Sequence, residues 1–188
     1  MRSFRIAVRT DDQFRNGARS TRMKLSTKLA LLCAAFLGAM SAFAAGSDDV
    51  KIPEGYRKWF HVNSMYVDKA SPLFDVLGGM HSVYINSTGE AALKKGGSYP
   101  DQTILLDDVS DVTVADGSYA EGPRKALGIM VKDKEKEKEK YASTGGWVFQ
   151  AFAGGDAKKP LVTDPVKQCF ECHLARKDHD YVYSTYIP

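Results

Sequence analysis

The chain has 188 residues, 44% of them hydrophobic and 26% charged, with a formal charge of +3. The first 44 residues hold 8 Lys/Arg and 2 Asp/Glu of the 26 and 23 in the chain, which leaves 18 basic and 21 acidic groups, a charge of −3, on the remaining 144. That remainder suits one domain, and its net charge gives no support to binding of nucleic acid or an anionic membrane.

Residues 1–22 are Arg-rich and lack an apolar pattern, and they read as a mis-assigned start or a leader extension. Residues 23–44 read as a cleaved signal peptide. Lys24 and Lys28 precede an apolar run from Leu29 to Ala39, and Ala42-Phe43-Ala44 supplies the small-x-small pattern before a cut. The run is too short to span a bilayer. Leu31-Leu32 before Cys33 is a poor lipoprotein signal, so no stable membrane anchor is expected. The folded domain is then 45–188, exported to the periplasm.

Short segments rich in β-branched and aromatic residues follow at 58–67, 81–86, 102–115, 126–132, 147–153 and 181–186. Val83 and Ile85, and Trp147 and Phe149, alternate with their neighbours as half-buried strands do. Three helices fit between them. STGEAALKKGG places Ser87 and Glu90 in capping-box spacing with Gly96 as a stop. DKEKEKEKYASTGG has Asp133 as an N-cap and reads as a solvated surface helix. The third starts at Asp164-Pro165, where proline is tolerated at the first helical position. The expected class is α+β, mainly β: an antiparallel sheet with a few short helices, the C-terminal one carrying Cys169, Cys172 and His173.

Those three residues read CFECH. A zinc site needs four ligands, and no second cysteine pair is present. A thioredoxin-like pair opens a helix after a strand in a βαβ unit, an alternation this chain lacks. Covalent haem attachment fits best, with a bare disulfide as the remaining alternative. The two thiols reach the two vinyl groups, and His173 turns its imidazole under the iron as the proximal ligand. The expected cofactor is one covalently attached haem c. Only 174–188 follow, without a methionine, so a sixth ligand must come from upstream or be absent.

With YRKWFHV at 56–62, GGMHSVYIN at 78–86, ALKKGGSYPDQT at 92–103, GWVFQAF at 146–152 and CFECH followed by KDHDYVYS, the chain resembles the cytochrome P-460 family over 52–188. The resemblance implies a β-rich homodimer, each chain holding one c-type haem with a proximal His and an open distal side. Some members oxidise hydroxylamine, and some bind it or nitric oxide. In the oxidising members a lysine cross-links the haem ring. Here the corresponding strand reads TILLDDV with Asp107 near that place, and Lys94 and Lys95 lie about ten residues before it. The chain therefore looks more like the cytochrome c′-β branch, which implies a small gaseous or nitrogenous ligand. The alternatives are a hydroxylamine-oxidising enzyme with the cross-link and a six-coordinate electron-transfer cytochrome that meets a redox-partner cytochrome.

The distal candidates are all upstream. His81 offers a hydrogen bond to bound ligand or a sixth ligand, and its plain alternative is an ordinary strand histidine. Met80 offers a thioether or simply packing. Phe60, Phe74 and Phe152 are candidates for an apolar lid or for core. His61 is equally ambiguous, and Arg124 is a candidate partner for a haem propionate.

Overall fold

The computed structural model describes residues 50–137 and 142–188. The leader expected over 1–44 and the middle of the Lys/Glu run lie outside those residues.

Alternating apolar segments form one five-stranded antiparallel sheet, β1 (Phe60–Val67), β2 (Gly79–Ile85), β3 (Ile104–Ala115), β4 (Ser118–Lys132) and β5 (Trp147–Ala153). The strands lie in sequence order, so each pairs with its neighbour in the chain. Short helices occupy the connections: α1 (Phe74–Leu77), α2 (Ser87–Lys95) and α3 (Lys134–Glu137). After β5 the chain makes a π-helical turn at Val166–Phe170, one α-helical turn at α4 (Glu171–His173), and a 3₁₀ segment at Leu174–His179. The architecture is mainly β with few short helices, as the segment pattern predicts.

Three boundaries differ from the sequence reading. Asn86, one residue before Ser87, caps α2, because its side-chain oxygen accepts from the Gly89 and Ile104 amides and so serves helix and strand together. β4 begins at Ser118 rather than 126, since Asp116 and Gly117 take positive φ and close a tight hairpin. Residues 181–186 form no strand: Asp180 and Tyr181 both take positive φ and turn the chain away from extended pairing.

Register fixes what each face carries. Phe60, Ile85, Leu105, Met130 and Phe149 stand in one cross-strand row. Leu93, Phe170 and Val182 pack on that face, so α2 and the C-terminal segment cover it. The opposite face presents Tyr84, Leu106, Leu127, Ile129 and Phe152 to Val50 and Tyr56 from the lead-in. A sheet covered on both faces explains why β4 and β5 read as near-continuous apolar runs.

Candidate functional site

The C-terminal segment is held against the first of these faces by a short set of directed contacts. Asp164 accepts from the Lys167 amide and starts the turn that carries the cysteines. Cys169 is half-buried, Cys172 is exposed, and no disulfide joins them. Burial, with the neighbouring Cys172 adding to it, pushes the Cys169 thiol up to about 11. It therefore stays protonated near neutrality, unlike the low-pKa thiolate of a dithiol redox centre. Among the described residues no group of three or more His, Cys, Asp and Glu is placed to hold a metal ion, so the zinc reading gains no support.

His173 lies between two rings, 5.0 Å from Phe149 and 5.3 Å from Tyr183 by centroid. Its Nδ1 is 2.7 Å from the Tyr181 carbonyl. A carbonyl oxygen can only accept, so Nδ1 carries the proton and Nε2 keeps its lone pair. Burial lowers the His173 pKa, with the Tyr181 hydrogen bond opposing it, and the ring stays neutral. A neutral imidazole with Nδ1–H on a backbone carbonyl and Nε2 free is the form that ligates a metal. Tyr183 ties the neighbouring turn down by donating its hydroxyl to the Cys172 carbonyl at 2.8 Å.

Further along the same face the sheet changes character. The next cross-strand row is Asn63, Val83, Asp107, Gly128 and Ala151, and Ala126 and Ala153 follow. Gly128, Ala126, Ala151 and Ala153 are only half-buried, whereas their neighbours Leu127, Ile129 and Phe152 on the other face are buried. A Cβ added at Gly128 would meet nothing closer than Asp107 Cβ at 3.7 Å, so the protein itself leaves room above this floor. Asp107 Oδ1 is buried there without a hydrogen-bond partner. A free imidazole nitrogen, two free thiols, a flat small-residue floor and an orphaned oxygen together fit a planar tetrapyrrole bound through its iron.

The family model for cytochrome P460 matches residues 53–184, from the lead-in through all five strands to the tail beyond the cysteines. The chain belongs to the cytochrome P460 family. It is thus a cytochrome, a haem-iron protein. None of the curated proteins compared with this cytochrome matches it.

The P460 fold distributes the distal candidates unequally. His81 is fully buried, with Nδ1 2.8 Å from Asp107 Oδ2 and Nε2 2.6 Å from the Leu77 carbonyl. Both ring nitrogens face acceptors, which makes His81 an imidazolium with no lone pair for iron. Met80 points to the opposite face from His81 and Phe149 by strand alternation. Phe60 stands in the row with Phe149, beside Tyr186 and 4.7 Å from Lys94 Nζ. Lys94 itself is paired with Glu90. Phe74 lies in α1 against Gly78, and Phe152 is in the core of the far face. His61 bonds Ser64, and Arg124 is engaged by Asp108 on the far face.

Burial alone would lower the His81 pKa, but the hydrogen bond and charge of Asp107, with the Leu77 carbonyl, outweigh it and raise it. A raised imidazole pKa stabilises the fold fully below its unfolded value of 6.5 and is lost as pH rises through the folded value. Unfolding followed by denaturant at a series of pH values is therefore expected to show the gap between wild type and His81→Gln narrowing above that value. A gap that does not change with pH would contradict the imidazolium.

The sequence reading did not single out Tyr181, Asp180, Lys132 or Phe149 as parts of this site. Tyr181 contributes a backbone carbonyl, which any residue type would supply, and Lys132 stands at the end of an ordinary strand. Only the tight Trp147 and Phe149 alternation marked β5 as a face, without saying what it faces.

Proposed function

We propose that this cytochrome is a periplasmic c-type monohaem protein that takes nitric oxide or a related small nitrogen species at an open distal position. Cys169 and Cys172 hold one haem by thioether bonds, and His173 is its axial ligand through Nε2. The observation that carries the reading is the pairing at the imidazoles. His173 keeps Nε2 free, whereas His81 has both nitrogens committed and Met80 faces away. Bound haem supplies an iron able to coordinate the small ligand. The chain contributes the fixed imidazole orientation, rings on both sides of it, and a floor small enough to admit a flat group. Lys94 is occupied with Glu90, which favours this reading over one that needs a lysine–haem cross-link.

A homodimer suits the exposed apolar surface that includes Val76, Val114 and the Tyr66–Tyr119 ring pair.

The deciding experiment is electron paramagnetic resonance of the resting ferric protein, with optical titration of the ferrous form by nitric oxide. A high-spin resting signal and a stoichiometric ligand spectrum are expected. A purely low-spin resting form, unchanged by nitric oxide, would sink the open-site reading.

A further inference from the structure

The carbonyl that receives His173 Nδ1–H belongs to a backbone that does not lie that way unaided. Asp180 has φ 51° and Tyr181 φ 66°, two successive side-chain-bearing residues in the left-handed region. Each such residue is unfavourable, by about 1 kcal/mol or more, and persists only where its surroundings hold it.

What holds it is a convergence on Asp180. Its Oδ1 accepts from Lys132 Nζ at 2.8 Å, and Oδ2 accepts from the Tyr99 amide at 2.8 Å. Its backbone carbonyl accepts from Trp147 Nε1 at 2.9 Å. Lys132 Nζ also donates to the Gly145 carbonyl at 2.8 Å and lies 5.1 Å from the Trp147 ring centre. Side chains of Lys132 and Asp180 are 7% and 10% exposed, so this ion pair is withdrawn from water. Gly145 completes the arrangement: at φ +63° its Cα lies so close to the Tyr181 ring that an added Cβ would reach Tyr181 Cε2 at 2.3 Å. β4, β5, the loop before β5 and the segment before β3 thus all fix one residue, the one preceding the carbonyl that orients the haem ligand.

A buried ion pair is a poor stabiliser, since desolvation consumes most of its attraction, and its better-attested use is to specify one geometry. We propose that Lys132 and Asp180 are positioning residues for the axial imidazole. By locking the 180–181 turn they set the hydrogen bond from His173 Nδ1–H to the Tyr181 carbonyl, and through it the basicity of Nε2 toward iron. A hydrogen bond of this kind to a metal-bound histidine strengthens electron donation to the metal. Loosening the turn weakens that donation without touching the ligand, the thiols or the distal side. The proposal rests on His173 as the axial ligand and is independent of what binds opposite it.

The test uses the haem-loaded protein and reads the iron–histidine stretching band of the ferrous form, the midpoint potential and the unfolding midpoint together. Asp180→Asn keeps an acceptor for the Tyr99 amide and removes the charge. Lys132→Met removes the partner, and Lys132→Arg restores it. The expected result is a band at lower frequency and a more positive potential in Asp180→Asn and Lys132→Met, both largely recovered in Lys132→Arg. If either of the first two fails to take up haem, Trp147→Phe drops only the Nε1–H strut while keeping a packed ring, and smaller shifts in the same directions are expected. Loaded variants that lose stability while band and potential stay at wild-type values overturn the proposal. A wild-type protein with no iron–histidine band would overturn the ligand assignment beneath it.

Discussion

Replacing Cys169 and Cys172 together by serine is expected to abolish haem that survives denaturation. A hydroxyl does not form the stable thioether a thiol forms with a vinyl group, so His173 would be left as the only bond between chain and cofactor. His173 holds iron by coordination alone, and that contact is lost when the fold opens. Wild-type protein, exported from cells able to mature c-type cytochromes, should keep haem stain on a denaturing gel and weigh more than its polypeptide by one haem. The double variant should show the polypeptide mass and background stain, and each single variant should retain one bond and intermediate staining. Full retention in the double variant would show that the attachment lies elsewhere. His173→Ala gives the complementary outcome: haem stays attached, and the axial spectrum changes.

The second large effect is structural and lies on the opposite face of the sheet. Asp108, whose side chain is 1% exposed, accepts from the Tyr56 hydroxyl at 2.6 Å, from Arg57 Nη2 at 2.7 Å and from Arg124 Nε at 2.6 Å. Arg57 reaches on to Glu121, which also accepts from Ser82. The carboxylate thus ties the lead-in to β3 and β4. Asp108→Ala leaves two guanidinium groups and a hydroxyl without their shared partner, and breaking a buried pair in this way costs about 3–5 kcal/mol. Chemical denaturation measures it, and a loss below about 1 kcal/mol would mean that water replaces the carboxylate with little penalty.

The same group sets an acid limit. Burial pushes the Asp108 pKa up, but the hydrogen bonds from Arg124, Tyr56 and Arg57 prevail and hold it below the ordinary 3.8. A depressed carboxylate pKa contributes stability that is whole above the unfolded value and is lost as pH falls through the folded one. Wild type should therefore lose stability on acidification below that range more steeply than Asp108→Asn, which has no proton to take up.

The strands could be read from sequence because their side-chain alternation is local. β2 and β5 show it in Val83, Ile85, Trp147 and Phe149, and both lie where the segments predict. The hairpin arm could not be read as fully. Asp116-Gly117 is a turn signal, but Ser118 to Lys125 is mostly exposed and carries no apolar period to mark it as strand. The opposite error occurred at 181–186, where β-prone residues form no strand because the Lys132–Asp180 contact sends the chain elsewhere. At the site, Cys169, Cys172 and His173 could be identified because their spacing is itself the chemistry. The His81–Asp107 contact spans 26 residues and is a diagonal neighbour across two strands, a relation that follows only from register.

Past Ser110, β3 has β4 as its sole strand partner among the described residues, and β4 leaves β5 at Ala126. Residues 111–125 are therefore a two-stranded ribbon with open backbone along both margins, the kind of edge on which foreign strands add. Pro123 deletes one amide donor there, and Asp111, Glu121 and Lys125 crowd charge beside the rest. Lateral growth into a larger intermolecular sheet is thereby discouraged, so the ribbon can stay extended into solvent without seeding aggregation.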